Sequence, residues 1–255
     1  MTPRARVRVA ESFRRGLETY HSAARTQAQI ARDLVLMLRG NGAPAGFAKA
    51  LEFGCGTGHL TEALVQSFDL DTLYLNDLLP EAADLAARSV APLCPKVLTG
   101  PVESLDLPTG IDLIASASTV QWVLDWPKVL DRLCDALAPK GWLALSGFGT
   151  NQYHELTVLS SGGAAPNYMD AQDWPRILPL GMELLEIRQT PIVVTFDSAR
   201  EVLRHLRRTG VNGRAGDQWT REQLQRFETA YHDRFEQDGK VTLTYDPVML
   251  IARKA

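Results

Sequence analysis

Glu52, Gly54, Gly56, Gly58 and Asp77 are the residues of this 255-residue chain whose types and spacing could do chemistry. In Glu52-Phe53-Gly54-Cys55-Gly56-Thr57-Gly58 a carboxylate stands two residues ahead of three glycines, and glycines let a ligand touch backbone that any Cβ would shield. The apolar run over 48–53 reads as a short buried strand. The glycines read as a tight turn, and 57–68 as an amphipathic helix with Leu60, Leu64, Val65 and Phe68 inward. Strand, Gly-rich loop and helix in that order make a nucleotide site. A dinucleotide fingerprint needs glycine where His59 stands, and a P-loop needs Gly-Lys-Ser/Thr, so neither applies. A second strand over 72–77 ends in Asp77, at the distance from the glycines where ribose-binding acids occur, and a carboxylate can accept from both ribose hydroxyls.

The pattern Glu-x-Gly-x-Gly-x-Gly resembles motif I of the class I S-adenosylmethionine (AdoMet) methyltransferases. The resemblance implies that Glu52 sits near the methionyl end of AdoMet, whose sulfonium and ammonium favour a carboxylate where a pyrophosphate would be repelled. It also implies a binding set of Glu52, Gly54, Cys55, Gly56, Thr57, Gly58, Asn76, Asp77 and Leu78, joined by Val102, Glu103, Ser116 and Gln27. At Gly100-Pro101-Val102-Glu103 the family usually carries an acid that reaches the adenine amino group. Pro101 stands in its place, which leaves the Val102 backbone N–H and the Glu103 side chain as adenine contacts.

The elements that must position these groups alternate regularly. A helix over 21–38 precedes the first strand and stops at Gly40-Asn41-Gly42. Helices follow over 80–90 and 127–137, each opened by a proline, and strands over 96–98, 111–116 and 141–148. The strand over 111–116 is almost wholly apolar, as a parallel strand covered on both faces should be. This predicts an α/β, Rossmann-like, seven-stranded and mostly parallel sheet with helices on both faces, its ligand outside the carboxyl ends of the strands. Residues 1–46 are expected to form an N-terminal helical cap and residues 150–180, with the turn Ser160-Ser161-Gly162-Gly163, a lid-like insertion after strand five. Strands are expected over 183–187 and 192–196, helices over 198–209 and 220–237, and a closing strand pair over 240–252. The whole of 1–255 reads as one domain.

Composition narrows the function. A net charge of −3 and a pI near 6.0 argue against general nucleic-acid binding, although Arg4, Arg6 and Arg8 form a local basic cluster that reads as a solvated terminus. Cys55, Cys94 and Cys134 show no paired spacing, so neither a disulfide framework nor a zinc site is expected. With no apolar signal core and no stretch near the roughly 18 apolar residues of a membrane span, a soluble, unprocessed, cytoplasmic monomer is expected.

Three further stretches sharpen the resemblance: 12–27 with Tyr20 and Gln27, the run from Ser116 to Gln121-Trp122, and Leu203-Arg204-His205-Leu206-Arg207-Arg208-Thr209-Gly210-Val211-Asn212. Together they look like the malonyl-acyl-carrier-protein O-methyltransferases of biotin synthesis. That likeness implies methyl transfer from AdoMet to the free carboxylate of malonyl-phosphopantetheine on acyl carrier protein, or of malonyl-CoA. A carboxylate is already ionised at neutral pH, so the displacement needs positioning and partial desolvation of the nucleophile and no general base. Arg207, Gln121, Trp122 and Tyr20 are the residues expected to act on the acceptor, and Arg204 and Arg208 to grip the carrier protein or its phosphopantetheine phosphate, because a guanidinium binds carboxylate or phosphate in a fork. Val202, Leu203 and Leu206 mark the buried side of that helix. Tyr153 and His154 are further pocket candidates, and Trp126, Trp142, Trp174 and Trp219 core or lid residues. Two other readings stay open: carboxyl methylation of a free polycarboxylic acid such as aconitate, and a silent AdoMet-binding module suggested by Pro101.

Overall fold

The computed structural model describes residues 3–159, 167–210 and 219–255. The turn at 160–163 and Val211-Asn212 lie outside them. Strand β1 (Gly46–Phe53) runs parallel to β2 (Asp69–Asp77) on one side and to β4 (Ile111–Ser116) on the other. Beyond β2 lies β3 (Lys96–Thr99), and beyond β4 come β5 (Leu137–Phe148), then β10 (Pro247–Lys254) and β6 (Met182–Gln189), with β10 antiparallel to both neighbours. The seven-stranded order β3-β2-β1-β4-β5-β10-β6 reverses direction of growth between β1 and β4, which opens a crevice at their carboxyl ends.

Side-chain alternation explains why these segments are strands covered on both faces. In β1, Leu51 and Phe53 turn to one apolar layer and Ala50 to the other. The first layer is closed by α5 (Trp126–Ala136) through Val129, Leu130 and Leu133. The second is closed by α2 (Arg25–Gly40), α3 (His59–Ser67) and α4 (Pro80–Ser89), with Leu34 and Leu38 of α2 fully buried.

The N-terminus departs from expectation. Residues read as a solvated terminus begin the helix α1 (Pro3–Ala23), and the helix expected over 21–38 is broken at Ala24 into α1 and α2. No glycine or proline marks that joint. Ala24 is wholly buried there, so tertiary packing, which local propensity does not report, turns the chain.

A second sheet was also not expected. β7 (Ile192–Phe196), β9 (Lys240–Tyr245) and β8 (Glu236–Gln237) form an antiparallel sheet of order β7-β9-β8, so the two closing strands divide between sheets. The switch lies at buried Asp246, whose N–H donates to Gln152 Oε1 at 2.7 Å and whose Oδ2 accepts from Gln189 Nε2 at 2.9 Å. Fully buried Glu155 on α6 (His154–Leu159) accepts from the N–H and hydroxyl of Thr244. Helix α7 (Ala199–Arg208) is capped by Ser198, and α8 (Arg221–Phe235) by a Thr220/Gln223 capping box. No helix among the described residues is long and apolar enough to cross a membrane.

Candidate active site

The glycine turn is built by backbone demands that differ from one glycine to the next. Gly54 has φ +64°, and a Cβ there would stand 2.2 Å from Thr119 Cγ2, so strand β1 can meet the loop after β4 only if this residue is glycine. Gly56 has φ +52° and nothing within 4 Å of its Cβ direction, which leaves its backbone open to a ligand. A Cβ on Gly58 would stand 3.1 Å from Ala86 Cα, so this glycine sets the approach of α3 to α4.

The turn forms one wall of a cleft of about 1200 Å³, open mouth included. Of the residues expected to bind cofactor, Gln27, Glu52, Gly54, Cys55, Gly56, Thr57, Asn76, Asp77, Leu78, Val102 and Glu103 line it, as do Tyr20 and Trp122 from the acceptor set. Asp77 at the end of β2 accepts from the N–H of Gly56 through Oδ2 and of Leu79 through Oδ1, both at 2.9 Å. Glu52 is 1% exposed and accepts from the Thr61 hydroxyl at 2.7 Å. Asn76 lines the cleft but spends its amide on the carbonyls of Leu98 and Gly100, which pins the loop after β3. Glu103 Oε1 accepts from the Leu124 N–H, tying the adenine-side loop to the loop after β4.

Four expected residues are not brought to the cleft. Gly58 packs behind it, as described. Ser116 is buried and donates its hydroxyl to the Phe53 carbonyl at 2.7 Å, joining the ends of β4 and β1. Gln121 donates to the Ser118 carbonyl at 2.6 Å from behind the loop whose next residue, Trp122, does reach the cleft. Arg207 is exposed, because Ala199, Val202 and Leu206 carry the buried stripe of α7 and the residue after Leu206 turns about 100° away from it. Tyr153 and His154 also stay outside the cleft. Trp126, Trp142 and Trp174 are core residues, while Trp219 is exposed.

The cover comes from α1. Ala10, Phe13, Leu17 and Tyr20 line the cleft, whereas among the described residues of 150–180 none does. Phe13 meets Trp122 edge to face at 6.0 Å and Tyr20 at 6.2 Å, and Tyr20 lies 6.2 Å from the ring of His59. His59 stacks on His21 at 4.2 Å, and His21 Nδ1 is 3.1 Å from Thr57 Oγ1, so α1 is fastened to the glycine turn itself. His59 carried no signal in the sequence beyond not being glycine. The periodicity of 60–68 could have placed it at the first turn of α3 beside the turn.

Charge decides what the cleft can hold. Burial pushes the Glu52 carboxyl up to about 8, aided by the nearby Asp77 charge and opposed by the Thr61 hydrogen bond. Burial also raises Asp77, against the backbone N–H groups that favour its ionised form. Burial, then His21 and Arg32, lowers His59 to about 4, so it is neutral at pH 7. No lysine or arginine lines the cleft among the described residues. Buried Glu52 and half-buried Asp77, without a cationic side chain among the described residues and above an open Gly56 backbone, fit a ligand with a cationic end and a ribose, and AdoMet is such a ligand.

Comparison with known proteins agrees with this arrangement. A family model described as a methyltransferase domain matches residues 22–212. The chain is 35% identical to the malonyl-[acyl-carrier protein] O-methyltransferase of Acinetobacter baylyi, over 96% of each chain. It is 35% identical to that of Chlorobium luteolum, covering 100% of this chain and 97% of the relative. Among solved structures, a protein of Bacillus halodurans assigned to the methyltransferases superposes with TM-score 0.62 at 15% identity, over 87% of this chain and 98% of the other. The N-methyltransferase NodS of Bradyrhizobium japonicum, in complex with S-adenosyl-L-homocysteine, gives 0.54 at 15% identity, over 92% and 98%. At such identity these two speak for the fold alone. With the methyltransferase model spanning most of the chain and full-length relatives above 30% identity, this protein belongs to the malonyl-[acyl-carrier protein] O-methyltransferase family of AdoMet-dependent methyltransferases.

Proposed function

We propose that this enzyme methylates the free carboxylate of a malonyl thioester carried on acyl carrier protein, acting in the cytoplasm as a monomeric, single-domain protein with residues 1–46 as its cap. Full-length relatedness to enzymes named for that reaction carries the reading. The acidic cleft fits the cationic methyl donor of that reaction. The bound AdoMet supplies an electrophilic methyl group on its sulfonium. Glu52 at the end of β1 would take the cationic methionyl end, Asp77 the ribose hydroxyls, and Val102 and Glu103 would face the adenine.

Phe13, Tyr20 and Trp122 form an aromatic cover that excludes water from the reacting end, where a partly desolvated carboxylate is a better nucleophile. No proton has to be removed, because the acceptor carboxyl ionises near pH 4 in water. The acceptor is held by hydroxyls: Ser118 Oγ lies buried at the cleft with no hydrogen-bond partner among the described residues, and Tyr20 stands opposite on α1. Ser118 has φ +56°, a conformation maintained by its N–H bonds to Ser146 O and Oγ at 3.1 and 3.0 Å, and strain of this kind collects at functional sites.

Incubation with methyl-labelled AdoMet and malonyl carrier protein, malonyl-CoA, acetyl carrier protein, malonate or aconitate tests the reading. Label is expected in the malonyl thioesters and not in the acetyl one. Transfer to aconitate or malonate alone, or to none of them with AdoMet still bound, would sink it.

A further inference from the structure

A second concavity opens on the far side of the α1–α2 joint, where Arg25 and Thr26 face β7 and the α7 residues Glu201, Arg204, His205 and Arg208. Its charge is lopsided. Arg204 pairs with Glu201, but Arg25 and Arg208 form no ion pair with any described residue, and both are exposed. The carbonyl ends of α1 and α7 absorb part of that charge. Two guanidinium groups from different elements still converge on one opening, an arrangement suited to a tetrahedral or planar oxyanion.

This pocket shares a wall with the cofactor cleft. Thr26 lines the pocket and the next residue, Gln27, lines the cleft. Tyr245, wholly buried at the end of β9, holds both: its hydroxyl meets the side chains of Thr26 and Gln27, and lies 2.6 Å from Nε2 of the pocket residue His205. Gln27 is 8% exposed, and its Oε1 has no hydrogen-bond partner among the described residues. The pocket is therefore joined through one hydroxyl to a group facing the cofactor.

The acceptor proposed above carries two kinds of anion, and only one is free to enter this pocket. Its malonyl carboxylate must lie at the methyl group, inside the cleft. The phosphate of the pantetheine arm lies at the other end of a flexible chain. We propose that the pocket lined by Arg25, Arg208 and His205 binds that phosphate, an inference that rests on the reaction proposed above. Carrier protein and coenzyme A both present this group, so either can supply it.

The test is calorimetric titration of the full chain, saturated with S-adenosyl-L-homocysteine, with 4′-phosphopantetheine and with pantetheine. At least tenfold tighter binding of the phosphorylated probe is expected. The double variant Arg25→Gln/Arg208→Gln should abolish that preference while homocysteine-product affinity stays within twofold, which also reports an intact fold. Equal affinities in the unaltered protein, or a preference that survives in the variant, would overturn the proposal. In a turnover arm, KM should rise in the variant for malonyl-CoA and malonyl carrier protein alike, whereas a rise confined to the carrier protein would mean protein docking and overturn it. The titration needs no methyl transfer, so a failure of the malonyl reaction and a failure of the phosphate pocket are read separately.

Discussion

The cofactor cleft and the basic pocket lie on either side of the first turn of α2 and are built from opposite materials. The cleft holds Glu52 wholly buried and Asp77 half-buried, and desolvation raises both, so that the charge of Glu52 is held back until a cation arrives. The pocket keeps its arginines in solvent, where they are charged at all times and screened by salt. Buried charge gives selectivity at the expense of stability. Exposed charge attracts a partner at little structural cost and discriminates weakly.

That contrast can be broken most severely at the turn. Gly54→Val would drive a side chain into Thr119 and force a β-branched residue to positive φ, and AdoMet binding is expected to fall more than 100-fold, on the order of 3 kcal/mol or beyond. Normal affinity in calorimetry would mean that the β1 and β4 loops do not meet as described. Asp77→Ala should weaken AdoMet binding by about 1–3 kcal/mol through loss of a charged acceptor. An unchanged Kd would remove Asp77 from the site.

Glu52 sharpens the comparison through pH. Its carboxyl titrates near 8 in the ligand-free protein and must ionise to face a cation, so AdoMet affinity should rise from pH 6.5 to 8.5 with release of up to one proton. Glu52→Gln should flatten that profile and cost roughly tenfold in affinity at pH 8.5, about 1.4 kcal/mol. Stability should move the other way. A folded pKa above the unfolded value stabilises fully at low pH and is lost as pH rises through about 8, so the ligand-free Gln variant should have the higher Tm at pH 8. A Tm that drops at pH 8 would show Glu52 to be structurally satisfied. The smallest effect expected is that of salt: raising NaCl from about 50 to 500 mM should weaken 4′-phosphopantetheine binding severalfold and AdoMet binding less than twofold. Equal sensitivity would dissolve the distinction between the two regions.

Much of the cleft was legible because its makers are neighbours in sequence. The strand, turn and helix of motif I need particular residues at fixed offsets, and Asp77 follows at the end of the next strand. Three other expected residues spend their side chains on structural tasks. Ser116 joins two strand ends, Gln121 braces a loop, and Asn76 holds the β3 loop while still lining the cleft. Arg207 and Arg208 are both exposed, and one residue of rotation on α7 places Arg208 at the basic pocket and leaves Arg207 outside both the pocket and the cleft.

The sequence by itself determined the parallel core, the glycine turn and the acidic character of the cofactor site, because strand burial, positive φ and motif spacing are properties of short stretches. Only the tertiary structure decided that α1, and none of the described residues of 150–180, lines the cleft from above, that β9 and β10 part at Asp246, and that Tyr245 joins Gln27 to His205. Those outcomes depend on side chains that meet across long separations, where the energy of packing a ring or satisfying a hydroxyl leaves no local pattern to read.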